Sequence, residues 1–171
     1  MVALCFLMLA DRGVFDYDEP IAKYWPEFAA KGKEAISIRT LLNHRSGLVA
    51  IDEPIGLDDF ANRPEEVARI AAAQAPYWEP DTDQGYHGVT YGIYTAELFR
   101  RLTGESLGTF LSREVAKPLG ADVFLGLPSS EESRVSSSHP AGLAEFFFKI
   151  VPKMLFHQGN EGRVYRQVVF G

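Results

Sequence analysis

The sequence predicts a mainly helical fold, and three observations carry that prediction. Apolar residues recur at three- and four-residue spacing in about five segments, which puts them on one face of a helix. Most of these segments are followed by glycine or proline, the residues that end helices. Only Val123-Phe124-Leu125-Gly126-Leu127, closed by Pro128, has the composition of a strand. A compact αβ fold needs more sheet than this one strand, so something is missing. At 171 residues, with 46% hydrophobic and 23% charged, the chain reads as globular, and no repeat or linker divides it.

In order, residues 2–12 read as a helix of nearly continuous apolar character, with Gly13 at the left-handed capping position. Residues 21–28, interrupted by Pro26, make at most a short helix and a loop. Ser37 is placed to cap a helix that runs to Ser46-Gly47. Residues 49–62 lack a clean period and read as a surface excursion. Pro64-Glu65-Glu66 starts the next helix, with proline in the first turn and two carboxylates at the positive end of the helix dipole. Val67, Ile70 and Ala71 form its apolar face, and Pro76 ends it. Tyr77-Trp78-Glu79-Pro80 is expected to be extended, because Pro80 disfavours helix at Glu79. Residues 93–103 are helical up to Gly104, and Ser106 caps a further helix that stops at Pro118. A serine-rich loop covers 129–138, and residues 144–156 form a last apolar segment broken by Pro152.

Composition excludes several functions. A net charge of −6 with scattered lysine and arginine gives no footprint for nucleic acid. Cys5 alone cannot build an internal disulfide framework. His44, His87, His139 and His157 lie far apart without cysteine or close acidic partners, so neither a metal site nor an organic cofactor is expected. The apolar stretch 1–10 is too short to span a bilayer and lacks the basic flank of a signal peptide, which favours the cytoplasm. The run around Phe146-Phe147-Phe148-Lys149 is assigned to core packing or pocket cover rather than to a membrane surface.

The chemistry centres on Gly85-Tyr86-His87-Gly88-Val89-Thr90-Tyr91-Gly92. Its three glycines suit a tight turn, and the helical pattern behind it provides a rigid support for a phenol and an imidazole. Tyr86 is the candidate catalytic group, with His87 as a candidate pocket residue. Two other arrangements compete. His44 and Ser46 lie close enough to suggest a dyad, but a helix end followed by the turn at Gly47 accounts for both. Gly104-Glu105-Ser106-Leu107-Gly108 spells the G-x-S-x-G elbow of α/β-hydrolases, with Asp122 and His139 following in triad order. That elbow needs a strand before the serine, and a helical pattern stands there instead.

Several segments together resemble the serine β-lactamase and penicillin-binding-protein family, in its class C-like carboxylesterase branch. They are Leu7-Met8-Leu9-Ala10-Asp11-Arg12-Gly13 with Asp18-Glu19-Pro20-Ile21, then Ile36-Ser37-Ile38-Arg39-Thr40-Leu41-Leu42-Asn43-His44-Arg45-Ser46-Gly47-Leu48. Tyr77-Trp78-Glu79-Pro80 with Gly85-Tyr86-His87, Leu102-Thr103-Gly104-Glu105-Ser106 and Pro118-Leu119-Gly120-Ala121 follow in the family's order. The resemblance is strongest over 3–128. It implies that residues 1–171 are a single partial domain, the helical part of an α+β fold with most of the antiparallel sheet missing. It also implies a serine acyl-enzyme mechanism on a small ester or amide, with Tyr86 sharing the proton work and Trp78 and His87 at the substrate pocket.

A phenol ordinarily ionises only near pH ~10, so base catalysis at neutral pH needs a neighbouring cation. In the family a lysine in S-x-x-K, three residues after the serine nucleophile, supplies it. No S-x-x-K occurs in this sequence. Serine and lysine are therefore expected upstream of Met1, the later K-T-G or H-x-G element is expected outside the chain, and the chain alone is expected to be inactive. Its first helix should expose apolar surface, and poor solubility should follow. Asp81 stands where the family usually has glycine, and Gly88 where class C-like members often have asparagine. The second departure argues against a β-lactam and toward an ester-like or unknown acyl substrate. A helical interaction domain descended from the enzyme is the non-enzymatic alternative, and an esterase using Ser106 is the other.

Overall fold

A computed structural model of the protein describes residues 1–56 and 58–136. The described part is helical throughout. Helix α1 (Val2–Asp11) leads through two 3₁₀ turns, Ile21–Lys23 and Pro26–Ala29, to the short α2 (Ile38–Leu42). Helices α3 (Asp59–Asn62), α4 (Pro64–Ala73) and α5 (Thr90–Thr103) follow. α6 (Leu107–Leu111) then widens into a π turn, Ser112–Ala116, before α7 (Lys117–Leu119). Pro118 has no N–H to offer the carbonyl four residues back, which loosens the helix where the π turn occurs.

Aromatic side chains link these helices into one core. Phe6 of α1 meets Phe99 of α5 at 5.5 Å, and Phe99 meets Phe110 of α6 at 5.2 Å, both edge to face. On the other side Phe28 packs between Trp25 and the Tyr94 ring of α5, and Tyr94 donates its hydroxyl to the Ala71 carbonyl of α4. The fully buried Lys33 donates to the carbonyls of Ala30 and Gln74, the latter at the C-terminal end of α4. A cation placed there also faces the negative end of the helix dipole. Burial nonetheless lowers the affinity of Lys33 for its proton, to a pKa of about 8.

Most predicted elements are present, with shifted ends. Ser37 caps α2 by accepting from the Thr40 N–H, and Gly104 ends α5 in the left-handed region. α2 stops at Leu42 rather than at Ser46, because the chain turns through His44 with φ of 60°. α4 ends at Ala73, before Pro76. Tyr77 and Trp78 form a bend rather than an extended segment, and Val49 and Ala50 are buried within the expected surface excursion. α5 begins three residues early, at Thr90, so Gly92 is helical and no part of the turn.

The predicted strand at 123–127 is not formed. Among the described residues there is no strand, only an isolated bridge between Pro20 and Ser37. A strand needs a partner for its ladder of hydrogen bonds. The Leu125 backbone instead lies against α6, so close that a Cβ on Gly108 would come within 2.0 Å of the Leu125 carbonyl oxygen. α1 buries Cys5, Phe6 and Leu9 but leaves Met1, Leu4 and Leu7 on the surface, Leu7 being 57% exposed. That is the apolar exposure expected of the first helix. The last apolar segment, 144–156, lies outside the described residues.

Candidate active site

Two loops, 43–49 and 76–89, meet in front of α5. Their backbones are joined in register: Tyr77, Asp81 and Gly85 donate their N–H groups to the carbonyls of Gly47 (2.8 Å), Arg45 (3.0 Å) and His44 (3.1 Å). Gly47 sits at φ of 75°, and a Cβ there would lie 2.7 Å from the Trp78 carbonyl oxygen, so only glycine allows this approach. The Thr90 hydroxyl donates to the Leu48 carbonyl at 2.6 Å, tying the head of α5 to the same loop.

Asp81 occupies a left-handed position, φ of 66°, which explains why glycine suits it. Its carboxylate offsets that strain by accepting from the Thr40 hydroxyl at 2.7 Å and from Arg45 Nε at 3.2 Å. The departure at this position therefore keeps the turn and pins it with a side chain.

Tyr86 stands at the tip of the turn, 80% exposed, with its ring 5.2 Å from that of His44. The next side chain points inward. His87 has no exposed surface and lies 2.8 Å through Nε2 from the Ser46 hydroxyl and 2.6 Å through Nδ1 from the Gly85 carbonyl. A carbonyl can only accept, so Nδ1 carries the proton and Nε2 accepts from Ser46. Burial holds this imidazole neutral, lowering its pKa to about 4.

The pair has the distance of a serine–histidine dyad, but both side chains are sealed and no substrate carbonyl can approach. Its role is to pin one loop to the other. His87 was expected to line the pocket; the structure places it beneath the turn instead. Trp78 is half-buried, with its ring over Gly85 and edge-on to His87 at 6.5 Å, and its buried indole Nε1 has no hydrogen-bond partner among the described residues.

The two competing arrangements resolve differently. Ser46 pairs with His87 across 41 residues rather than with its near neighbour His44. Nothing in the local sequence signals that pairing, because it depends on how the two loops dock. Ser106 caps α6, accepting from the Thr109 N–H at 3.1 Å, and a helix precedes it. The strand–serine–helix elbow is therefore absent. Asp122 is engaged by Arg134 on the surface, and His139 lies outside the described residues. The triplet His157-Gln158-Gly159 also spells H-x-G, and it too lies outside the described residues. Among the described residues no group of three or more His, Cys, Asp or Glu side chains could hold a metal ion, and no helix is long and apolar enough to cross a membrane.

Comparison with known proteins agrees with the resemblance. The family model described as Beta-lactamase matches residues 1–153. The esterase/beta-lactamase LipL of Mycobacterium tuberculosis is 33% identical over 135 residues, covering 77% of this chain and 30% of that protein. Among solved structures, a penicillin-binding-protein homolog from Caulobacter crescentus superposes with a TM-score of 0.82 at 34% identity, over 99% of this chain and 43% of that one. A family VIII carboxylesterase superposes with a TM-score of 0.74 at 40% identity, over 79% of this chain and 37% of that one. The chain thus spans less than half the length of each of these relatives.

Proposed function

The chain belongs to the beta-lactamase family, and on that premise we propose that it is the Tyr86-bearing part of a serine hydrolase that acts on small esters or amides. One observation carries the reading: the Tyr86 phenol, just ahead of α5, is 80% exposed on a turn whose backbone is fixed on either side by the buried His87–Ser46 contact and by Asp81 between the loops. An exposed hydroxyl on a rigid turn can exchange protons with a bound substrate.

In this reading a serine and a lysine come from sequence preceding Met1. The serine oxygen bonds to the substrate carbonyl carbon, and its proton passes to the Tyr86 oxygen, with the lysine sharing the proton work. The alcohol or amine leaves as its bond to that carbon breaks, taking the proton from Tyr86. Water then attacks the acyl-enzyme, with Tyr86 accepting the proton of the water and the serine regaining its own, and the carboxylic acid departs. Backbone N–H groups stabilise the oxyanion in both steps. Gly88, in place of the asparagine common in class C-like members, favours an ester-like substrate. The chain alone, without serine or lysine in S-x-x-K, turns nothing over.

The test replaces the corresponding segment of the family VIII carboxylesterase with this chain. The chimera should hydrolyse p-nitrophenyl butyrate, and Tyr86→Phe should lower kcat by about 10²- to 10⁴-fold. The chain by itself should take no label from a fluorophosphonate. Labelling of the isolated chain, or an unchanged kcat in the Tyr86→Phe chimera, overturns the reading.

A further inference from the structure

We propose that His44 is the positioning residue of Tyr86, a bracket that holds the phenol-bearing turn from both sides and backs its ring. This rests on the reading of Tyr86 as the working phenol. The geometry is a two-point grip around one residue. The backbone carbonyl of His44 accepts from the Gly85 N–H at 3.1 Å, just before Tyr86, and its ring Nδ1 accepts from the His87 N–H at 3.2 Å, just after it. The imidazole then packs against the Tyr86 ring at 5.2 Å and against Tyr91 of α5 at 4.8 Å. At 80% exposure the phenol has little packing of its own, so the backbone on either side decides where it points.

The residue type matters at this position. Nδ1 can accept only from a neutral ring with its proton on Nε2, and burial lowers the pKa of His44, keeping it neutral. His44 also holds φ of 60°, a left-handed conformation that a residue with a side chain of this kind adopts only under strain. The grip on Gly85 and His87 offsets that strain. Asparagine could replace the acceptor and tolerates the backbone, but has no ring; phenylalanine supplies a ring and no acceptor.

These two replacements separate the functions by measurements that need no turnover. In the 171-residue chain, with the Tyr86 ring ¹³C-labelled and assigned through Tyr86→Phe, His44→Phe should speed hydrogen exchange of the His87 amide about tenfold while Leu98 and Phe99 of α5 stay protected. His44→Asn should restore protection at His87 and yet lower the order parameter of the Tyr86 ring to that of a free surface tyrosine. Wild-type ring order in His44→Asn, or wild-type exchange at His87 in folded His44→Phe, overturns the proposal. So does an unfolded His44→Asn, since that would make His44 a residue of the general fold. These outcomes are independent of whether Tyr86→Phe silences the chimera, so either idea can fail without the other.

Discussion

Tyr86 and His87 are neighbours in the chain and opposites in the structure. One is 80% exposed; the other has no exposed surface and both ring nitrogens engaged. The buried neighbour has the more suggestive geometry, 2.8 Å from a serine hydroxyl, and the exposed one is the better candidate for chemistry. Access decides between them. A hydrogen-bonded pair with no path for a substrate stabilises the fold, while a phenol on a pinned turn can reach one. The difference also divides the energetics: stability should depend on His87, and activity on Tyr86.

The largest expected effect comes from removing the buried member. His87→Ala removes the acceptor of the Ser46 hydroxyl and the donor to the Gly85 carbonyl and opens a cavity, so unfolding by urea should show a loss of roughly 3 kcal/mol. A loss below about 1 kcal/mol would mean that the loops are not pinned there. Acid should give a comparable loss. The folded chain binds a proton at His87 only near about 4, against 6.5 for the free imidazole, so the unfolded chain takes up the proton first. The contribution is whole above about pH 6.5 and is lost as pH falls toward 4, by roughly 3 kcal/mol in all. Urea midpoints across that range should fall steeply in the wild type and flatten in His87→Gln.

Ser46→Ala should cost less, on the order of 1–2 kcal/mol, because Nε2 of His87 loses its donor and little volume is removed. The double variant with His87→Ala should cost little more than His87→Ala alone, since the two side chains act as a pair. The smallest effect belongs to the exposed member: Tyr86→Ala should change stability by under about 0.5 kcal/mol in the same urea series. A large loss there would erase the contrast between the two neighbours.

Local signals in the sequence were read well where the physics is local. The capping serines Ser37 and Ser106, the proline start of α4 and the glycine that ends α5 each act within one turn of their own residue, and each is found as expected. The strand at 123–127 was misread because its composition suits a sheet but its hydrogen bonds need a partner that the described chain does not supply. Tyr86 was visible as a candidate from glycine spacing and the ordered resemblance. The docking of Ser46 on His87, the grip of His44 on the Tyr86 turn and the anchoring of Asp81 by Thr40 and Arg45 were not, because each joins residues some forty positions apart.

From its residues alone, the chain's helical character, its capping points and its membership in a family of acyl-transfer enzymes could be read, because periodicity, caps and ordered motifs are written along the backbone. Which of two adjacent side chains faces water, and which serine meets which histidine, was decided only when two loops closed over the head of α5. Burial is a property of the whole packed surface, and no single stretch of sequence carries it.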